Sequence, residues 1–302
     1  MSNNNAMINK QLILFQDIIS EKEILYIIGN GFDLSHGIRS SYWDFREWLV
    51  LNKYNLVGMM DIFFSNKRDV WSSIEQALGE YDEGSILDYC RPDEEFDYEH
   101  SLSSSARVED SPMAIFRPVL EEFRQAFRDW VNSIEISGIE KVYKLNTDSR
   151  YLSFNYTDTL ETEYGIAQNK VIHIHGSRLN DEEYIIGHNN NRNPSSVWDD
   201  DGLTFEQQAY ENIIVWMNEF TKQYNRNIAN HSSFFDSLYD IKQIVVIGHS
   251  LSKVDWPYFE EIIKITGKDI PWTVYCHSMD DRTNTGCFKD SFRLSSVTIK
   301  DN

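Results

Sequence analysis

Ile24-Leu25-Tyr26-Ile27-Ile28-Gly29-Asn30-Gly31-Phe32-Asp33 decides the fold of this chain. Its five leading apolar residues leave no polar position to face water, which fits a parallel strand covered on both faces. Gly29 closes the run at a corner. Gln243 to Ile247 repeats the arrangement and is closed by Gly248. Both lead toward helical patterns, giving the strand–helix unit of a doubly wound, mostly parallel α/β sheet. Four further runs rich in Ile, Val and aromatic residues read as buried strands: Tyr151-Leu152-Ser153-Phe154, Val171-Ile172-His173-Ile174-His175, Tyr184-Ile185-Ile186 and Trp272-Thr273-Val274-Tyr275.

Between residues 41 and 135 apolar residues recur at spacings of three and four. Tyr42, Phe45, Trp48 and Leu49 form one such stripe, and Trp71, Ile74, Leu78 and Tyr81 a second. Phe116, Leu120, Phe123, Phe127, Trp130 and Ile134 form a third, longer one. These are amphipathic helices, and another is expected near Phe205 to Phe220. The acidic, poorly periodic stretch from Arg91 to Pro112 reads as a loop, and its Asp93-Glu94-Glu95 run as a solvated face. The expected organisation is a leader and helix over 1–22, an α/β nucleotide-binding core over 23–40 and 151–302, and a mostly helical insertion over 41–150.

The 302 residues allow one large domain or two, and 41% hydrophobic with 14% aromatic residues can build a sizeable core. The 28 basic residues against 48 acidic ones give a net charge of −20, a surface that repels nucleic-acid backbones and anionic lipid. Cys90, Cys276 and Cys287 are sparse and form no C-x-x-C pair, which fits reduced thiols in the cytoplasm and excludes a four-cysteine zinc ribbon. No apolar run is long enough to span a bilayer. The start, Met1-Ser2-Asn3-Asn4-Asn5-Ala6, lacks the order of a secretion signal.

Four strand ends carry chemistry-bearing residues. Gly29-Asn30-Gly31-Phe32-Asp33, followed by Gly37-Ile38, is either a tight turn or a corner where backbone N–H groups approach a phosphate. It is not the dinucleotide fingerprint, because Leu34 stands where the third glycine belongs. In Ser153-Phe154-Asn155-Tyr156-Thr157-Asp158, Asn155 and Asp158 either face a ligand or serve as helix caps. His173-Ile174-His175-Gly176-Ser177 places two imidazoles on one strand face, as a metal pair, as a base beside a structural histidine, or as two core histidines. Gly248-His249-Ser250-Leu251-Ser252 approaches a serine-hydrolase elbow but ends in Ser252, not glycine. Glu75 borders an apolar helix stripe and reads as a flank residue.

As a set these corners resemble sirtuin motifs in sirtuin order: Gly29-Asn30-Gly31 the glycine loop, Ser153-Phe154-Asn155 the T-Q-N element, Ile174-His175-Gly176-Ser177 the L-H-G-S, and Gly248-His249-Ser250-Leu251 the G-T-S-L. Tyr26 to Leu34 with Ser41-Tyr42-Trp43-Asp44-Phe45, the spacing of Trp71 to Glu75, and the F-N-Y-T and H-I-H-G elements resemble the AbiH-type bacteriophage abortive-infection family. The resemblance spans roughly residues 23 to 280. It implies a sirtuin-like NAD-binding core used in phage defence, a trigger of phage origin or a protein partner, and a reaction that needs no metal; a homo-oligomer is compatible with it. By the same resemblance Asn155 and His175 are the catalytic residues. Gly29, Asn30, Gly31, Asp33, Asp158, Gly248 and Ser250 would hold the nucleotide. Asp33 departs from the sirtuin serine, Asp158 sits one position late, and the zinc ribbon is missing.

Breaking a nicotinamide–ribose bond builds positive charge on the sugar, as glycoside hydrolysis does. It calls for a carboxamide such as Asn155 and a base such as His175. Two rivals remain at this stage: a nucleotide sensor without turnover, and a metal-dependent hydrolase using His173 and His175 with Asp33.

Overall fold

The computed structural model describes residues 20–64, 70–91, 102–180, 183–194 and 204–301. Six strands form one sheet: β1 (Ile24–Ile28), β2 (Arg150–Ser153), β3 (Val171–His173), β4 (Gln243–Ile247), β5 (Trp272–Cys276) and β6 (Val297–Asp301). Their order is β3-β2-β1-β4-β5-β6, and every neighbouring pair is parallel. This is the α/β, Rossmann-like arrangement that the first strand implies. The chain builds outward from β1 through β2 to β3, then returns to lay β4, β5 and β6 on the other side. The order therefore reverses between β1 and β4, the place at which open parallel sheets bind ligands beyond the carboxyl ends of their strands.

Side chains along β1 and β4 alternate between two buried layers. Leu25 and Ile27 join Ile244 and Val246 in one core, while Tyr26 and Ile28 join Val245 and Ile247 in another. That is why residues 25–28 and 244–247 carry no polar position. On the second face Tyr26 stacks on Tyr151 of the neighbouring strand, ring centroids 5.0 Å apart.

Helix α1 (Asn30–Ser35) follows β1 directly. A helical layer comes next, with α2 (Tyr42–Asn52), α3 (Tyr54–Phe64), α4 (Ile74–Gly79), α5 (Glu83–Cys90) and α6 (Leu102–Ser133). Short α7 (Thr159–Thr162) leads from β2 to β3, and α8 (Phe205–Asn218), α9 (Tyr224–Asn230) and α10 (Ser232–Asp236) precede β4. Helices α11 (Trp256–Thr266) and α12 (Met279–Phe292) flank β5. A Ser41–Asp44 capping box starts α2 and points Phe45 and Leu49 inward. Phe45 meets Trp130 of α6 at 5.0 Å and Phe127 at 5.4 Å. Ala209, Ile213 and Met217 of α8 share this core, so a helix from the second half of the sequence completes the layer.

Four local expectations change. Tyr184-Ile185-Ile186 is not a strand; Ile185 N–H bonds to the His175 carbonyl at 2.9 Å, and Ile186 packs into the helical core. The expected loop from Arg91 to Pro112 is helical from Leu102 onward, as the start of α6, and its residues 92–101 lie outside the described residues. The second helical stripe divides into a single 3-10 turn, Val70–Ser72, and α4. Strand β6 was not expected, because an exposed edge strand with little apolar character has no buried face to advertise.

Candidate functional site

A cleft of about 570 Å3 lies at the carboxyl ends of the strands, between the sheet and the helical layer. Gly29, Asn30, Gly31, Asp33, Asn155, His175, Gly248 and Ser250 all line it. Asp158 does not. It binds the Arg178 guanidinium, which also donates to the Ile134 carbonyl, and so ties the loop after β2 to the segment that follows α6.

The glycines have a reason inside the protein. Gly31 N–H donates to the Gly248 carbonyl at 2.9 Å, and a Cβ on Gly31 would sit 2.8 Å from Gly248 Cα. Gly248 takes φ +69°, with Phe32 N only 2.0 Å from where its own Cβ would be. A Cβ on Gly29 would lie 2.6 Å from His249 Cα. The loops after β1 and β4 thus rest backbone on backbone, as only glycine permits. Asn30 is engaged as well: its Nδ2 donates to Ser40 O at 2.9 Å and its Oδ1 accepts from Ser40 Oγ at 2.6 Å.

Three buried polar atoms in the lining have no hydrogen-bond partner: Asp33 Oδ1, Asn155 Oδ1 and His175 Nε2. Asp33 accepts a hydrogen bond from the Thr157 hydroxyl through Oδ2, while its Oδ1 has no partner; burial pushes this carboxyl's pKa up. Asn155, only 6% exposed, also has an unpartnered Oδ1. Unpaired acceptors in a cleft are costly unless a ligand completes them.

Below them lies an ion network that the sequence did not announce. Lys222 Nζ, with no exposed side-chain surface, sits 2.8 Å from Glu75 Oε1 and 2.9 Å from Asp255 Oδ1. Asp255 in turn faces two imidazoles: His175 Nε2 at 3.6 Å from Oδ1, and His249 Nε2 at 3.5 Å from Oδ2. The Leu251 N–H donates to His249 Nδ1 at 2.9 Å, leaving the Nε2–H of that ring to face Asp255. Burial opposes the Lys222 charge, but Asp255 and Glu75 hold the ammonium above its ordinary range. Burial likewise opposes ionisation of Asp255, yet Lys222 and the histidines hold it well below the usual carboxylate range. Glu75 goes the other way, raised chiefly by burial and then by the Asp255 charge. His175 is pushed well down by burial and by Lys222, so it is a neutral imidazole at neutral pH. Two carboxylates on one lysine, driven apart in acidity, with a neutral imidazole alongside, is an arrangement suited to moving protons.

Two expectations need correcting. Glu75 is no flank residue: α4 turns it inward onto Lys222. His173 and His175 do not form a pair, because β3 ends at His173 and the chain turns before His175. His173 Nδ1 bonds Asn155 O at 2.8 Å and its Nε2 meets Glu161 at 3.0 Å, whereas His175 packs edge-on against Phe154 and faces Asp255. Among the described residues no group of three or more His, Cys, Asp or Glu is placed to hold a metal ion. The one overlooked sequence signal is Asp255 before Trp256-Pro257. It occupies the N-cap position of α11 without capping it, its side chain being turned to Lys222.

The family model for bacteriophage abortive infection AbiH matches residues 25–276, a span that holds the glycine corners, Asn155 and the Glu75–Lys222–Asp255–His175 network. No curated protein matches the chain.

Proposed function

The chain belongs to the bacteriophage abortive infection AbiH family, and from that premise we propose that the cleft binds NAD, or a related nucleotide, and hydrolyses its nicotinamide–ribose bond. A role in phage abortive infection follows from the family; the chemistry is our reading. The observation that carries it is the Glu75–Lys222–Asp255–His175 network beneath an unpartnered Asn155 at the point where the strand order reverses. The sirtuin-like order of the four loop motifs supports the same choice of ligand.

In this reading the water oxygen forms a bond to the ribose C1′ while the C1′–N bond breaks. Its electron pair returns to the pyridinium nitrogen, so nicotinamide leaves neutral and needs no proton. The proton of the attacking water goes to His175, and Asp255 stabilises the imidazolium that results. Asn155 Oδ1 orients the water or the ribose. Developing charge on the sugar is met by the carboxylates of the cleft.

Incubating the purified protein with NAD and following free nicotinamide by chromatography tests this. His175→Asn and Asn155→Ala are each expected to slow release by about 100-fold or more while the protein stays folded, the usual range for losing a positioned acid–base or polar group. A folded His175→Asn protein that releases nicotinamide at the wild-type rate would remove His175 from the reaction.

A further inference from the structure

Charge in the cleft is one-sided. Asp33, Glu75, Asp255 and Asp281 line it, and among the described residues no Lys or Arg does. Lys222 lies beneath the lining and is held between two carboxylates. A phosphate entering here would meet no countercharge, and the Gly31 N–H that could greet it is already bonded to Gly248. The part of the cleft around Glu75 is aromatic instead. Trp71, in the 3-10 turn that precedes the helix of Glu75, and Trp130 are nearly buried members of the lining, joined by Tyr42 and Tyr156. The two tyrosines lie close enough to feel the charges of Glu75 and Asp255, which add to burial in raising their phenol pKa values. Aromatic faces beside a carboxylate attract a flat cation and offer nothing to an anion.

We infer that the cleft recognises an N-ribosyl pyridinium cation and not a phosphate, so that nicotinamide riboside is bound and cleaved as well as NAD. The inference rests on the cleavage reading above and narrows its substrate class. Three features of the site carry it: the aromatic walls with Glu75 for the cationic ring, the unpartnered Asn155 Oδ1 for a ribose hydroxyl, and, among the described residues, the lack of a lining lysine or arginine for the phosphates. The step is the same for either substrate. Water adds at C1′, the C1′–N bond breaks with its electron pair going to the ring nitrogen, and His175 takes the proton. The riboside gives neutral nicotinamide and ribose.

Calorimetric titration of the wild-type protein with nicotinamide riboside, its uncharged reduced form, nicotinamide mononucleotide, NAD and NADP tests the inference without any variant. The riboside should bind within about threefold of NAD, and the reduced riboside about tenfold more weakly, the size expected of a partly desolvated cation–aromatic contact. NADP, with its extra phosphate, should bind at least about tenfold more weakly than NAD. Glu75→Gln should shrink the preference for the oxidised ring. Equal binding of oxidised and reduced riboside, or tighter binding of the mononucleotide or NADP, overturns the inference and leaves NAD cleavage standing. Binding of none of the five overturns both. The expected order of binding without nicotinamide release sustains the cation site and removes the cleavage.

Discussion

Lys222 is the residue on which the site is hung. Its ammonium is shared by Glu75 and Asp255 at 2.8 and 2.9 Å, away from water. Removing one member of such a group leaves the others buried and unpaired, which costs about 3–5 kcal/mol. Lys222→Met should therefore lower stability by that amount in chemical denaturation, and adding Glu75→Gln should restore only part, because Asp255 stays uncompensated. An unaltered midpoint in Lys222→Met would show that the network carries no weight. The histidine gives a second test. Burial and Lys222 hold the folded His175 below its ordinary pKa, so below about pH 6.5 the unfolded chain takes a proton that the folded one refuses. This term is fully favourable above that pH and is lost as acid increases. Asp33 and Glu75, both raised by burial, act in the opposite direction, so the comparison is between two proteins and not along one curve. Thermal unfolding of His175→Asn should lose less stability than wild type between pH 6.5 and 5; identical pH profiles would contradict a buried neutral imidazole. Asn155 and His175 could be read from the sequence because each sits in a short motif at a strand end. Lys222 could not, since its partners come from α4 and from the start of α11, and neither lies near it in the chain.

The loops after β1 and β4 show how much of a glycine motif is element packing. Gly37 and Gly248 take nearly the same backbone angle, φ +73° and +69°, but a Cβ on Gly37 would meet nothing within 4 Å, whereas one on Gly248 would meet Phe32 N at 2.0 Å. The cost of the left-handed conformation cancels between Gly37→Ala and Gly248→Ala, leaving the collision alone. Gly248→Ala should be the less stable by about 1–3 kcal/mol or more, read from denaturant midpoints. Equal stabilities would mean that the two loops are not in close contact. It follows that ligand loss in a Gly31 variant says nothing about phosphate, because the corner is needed for the fold itself. The same logic explains which elements were legible. Strands β1 and β4 are buried on both faces and read as continuous apolar runs, whereas β6 is an exposed edge whose residues mix polar with apolar. The start of α6 reads as loop because Ser103-Ser104-Ser105 and the acidic residues after it hide the helical period.

At the scale of the molecule, the parallel sheet and the helical layer each have their own core, and the cleft lies where the two face each other. That placement lets the helical layer deliver Glu75, Trp71 and Trp130 to a floor built by strand-end loops. The net charge of −20 fits a cleft that draws in a cation, and no described helix is long and apolar enough to cross a membrane. Phage defence by this chemistry would act through the loss of a nucleotide that the whole cell needs. The decisive measurement is the NAD content of phage-infected cells carrying either the wild-type protein or His175→Asn. With the wild-type protein, NAD should fall as growth stops and nicotinamide should rise in step, whereas His175→Asn should leave NAD at the level of infected cells without the protein. Growth arrest by the wild-type protein with NAD unchanged would contradict cleavage of the nicotinamide–ribose bond.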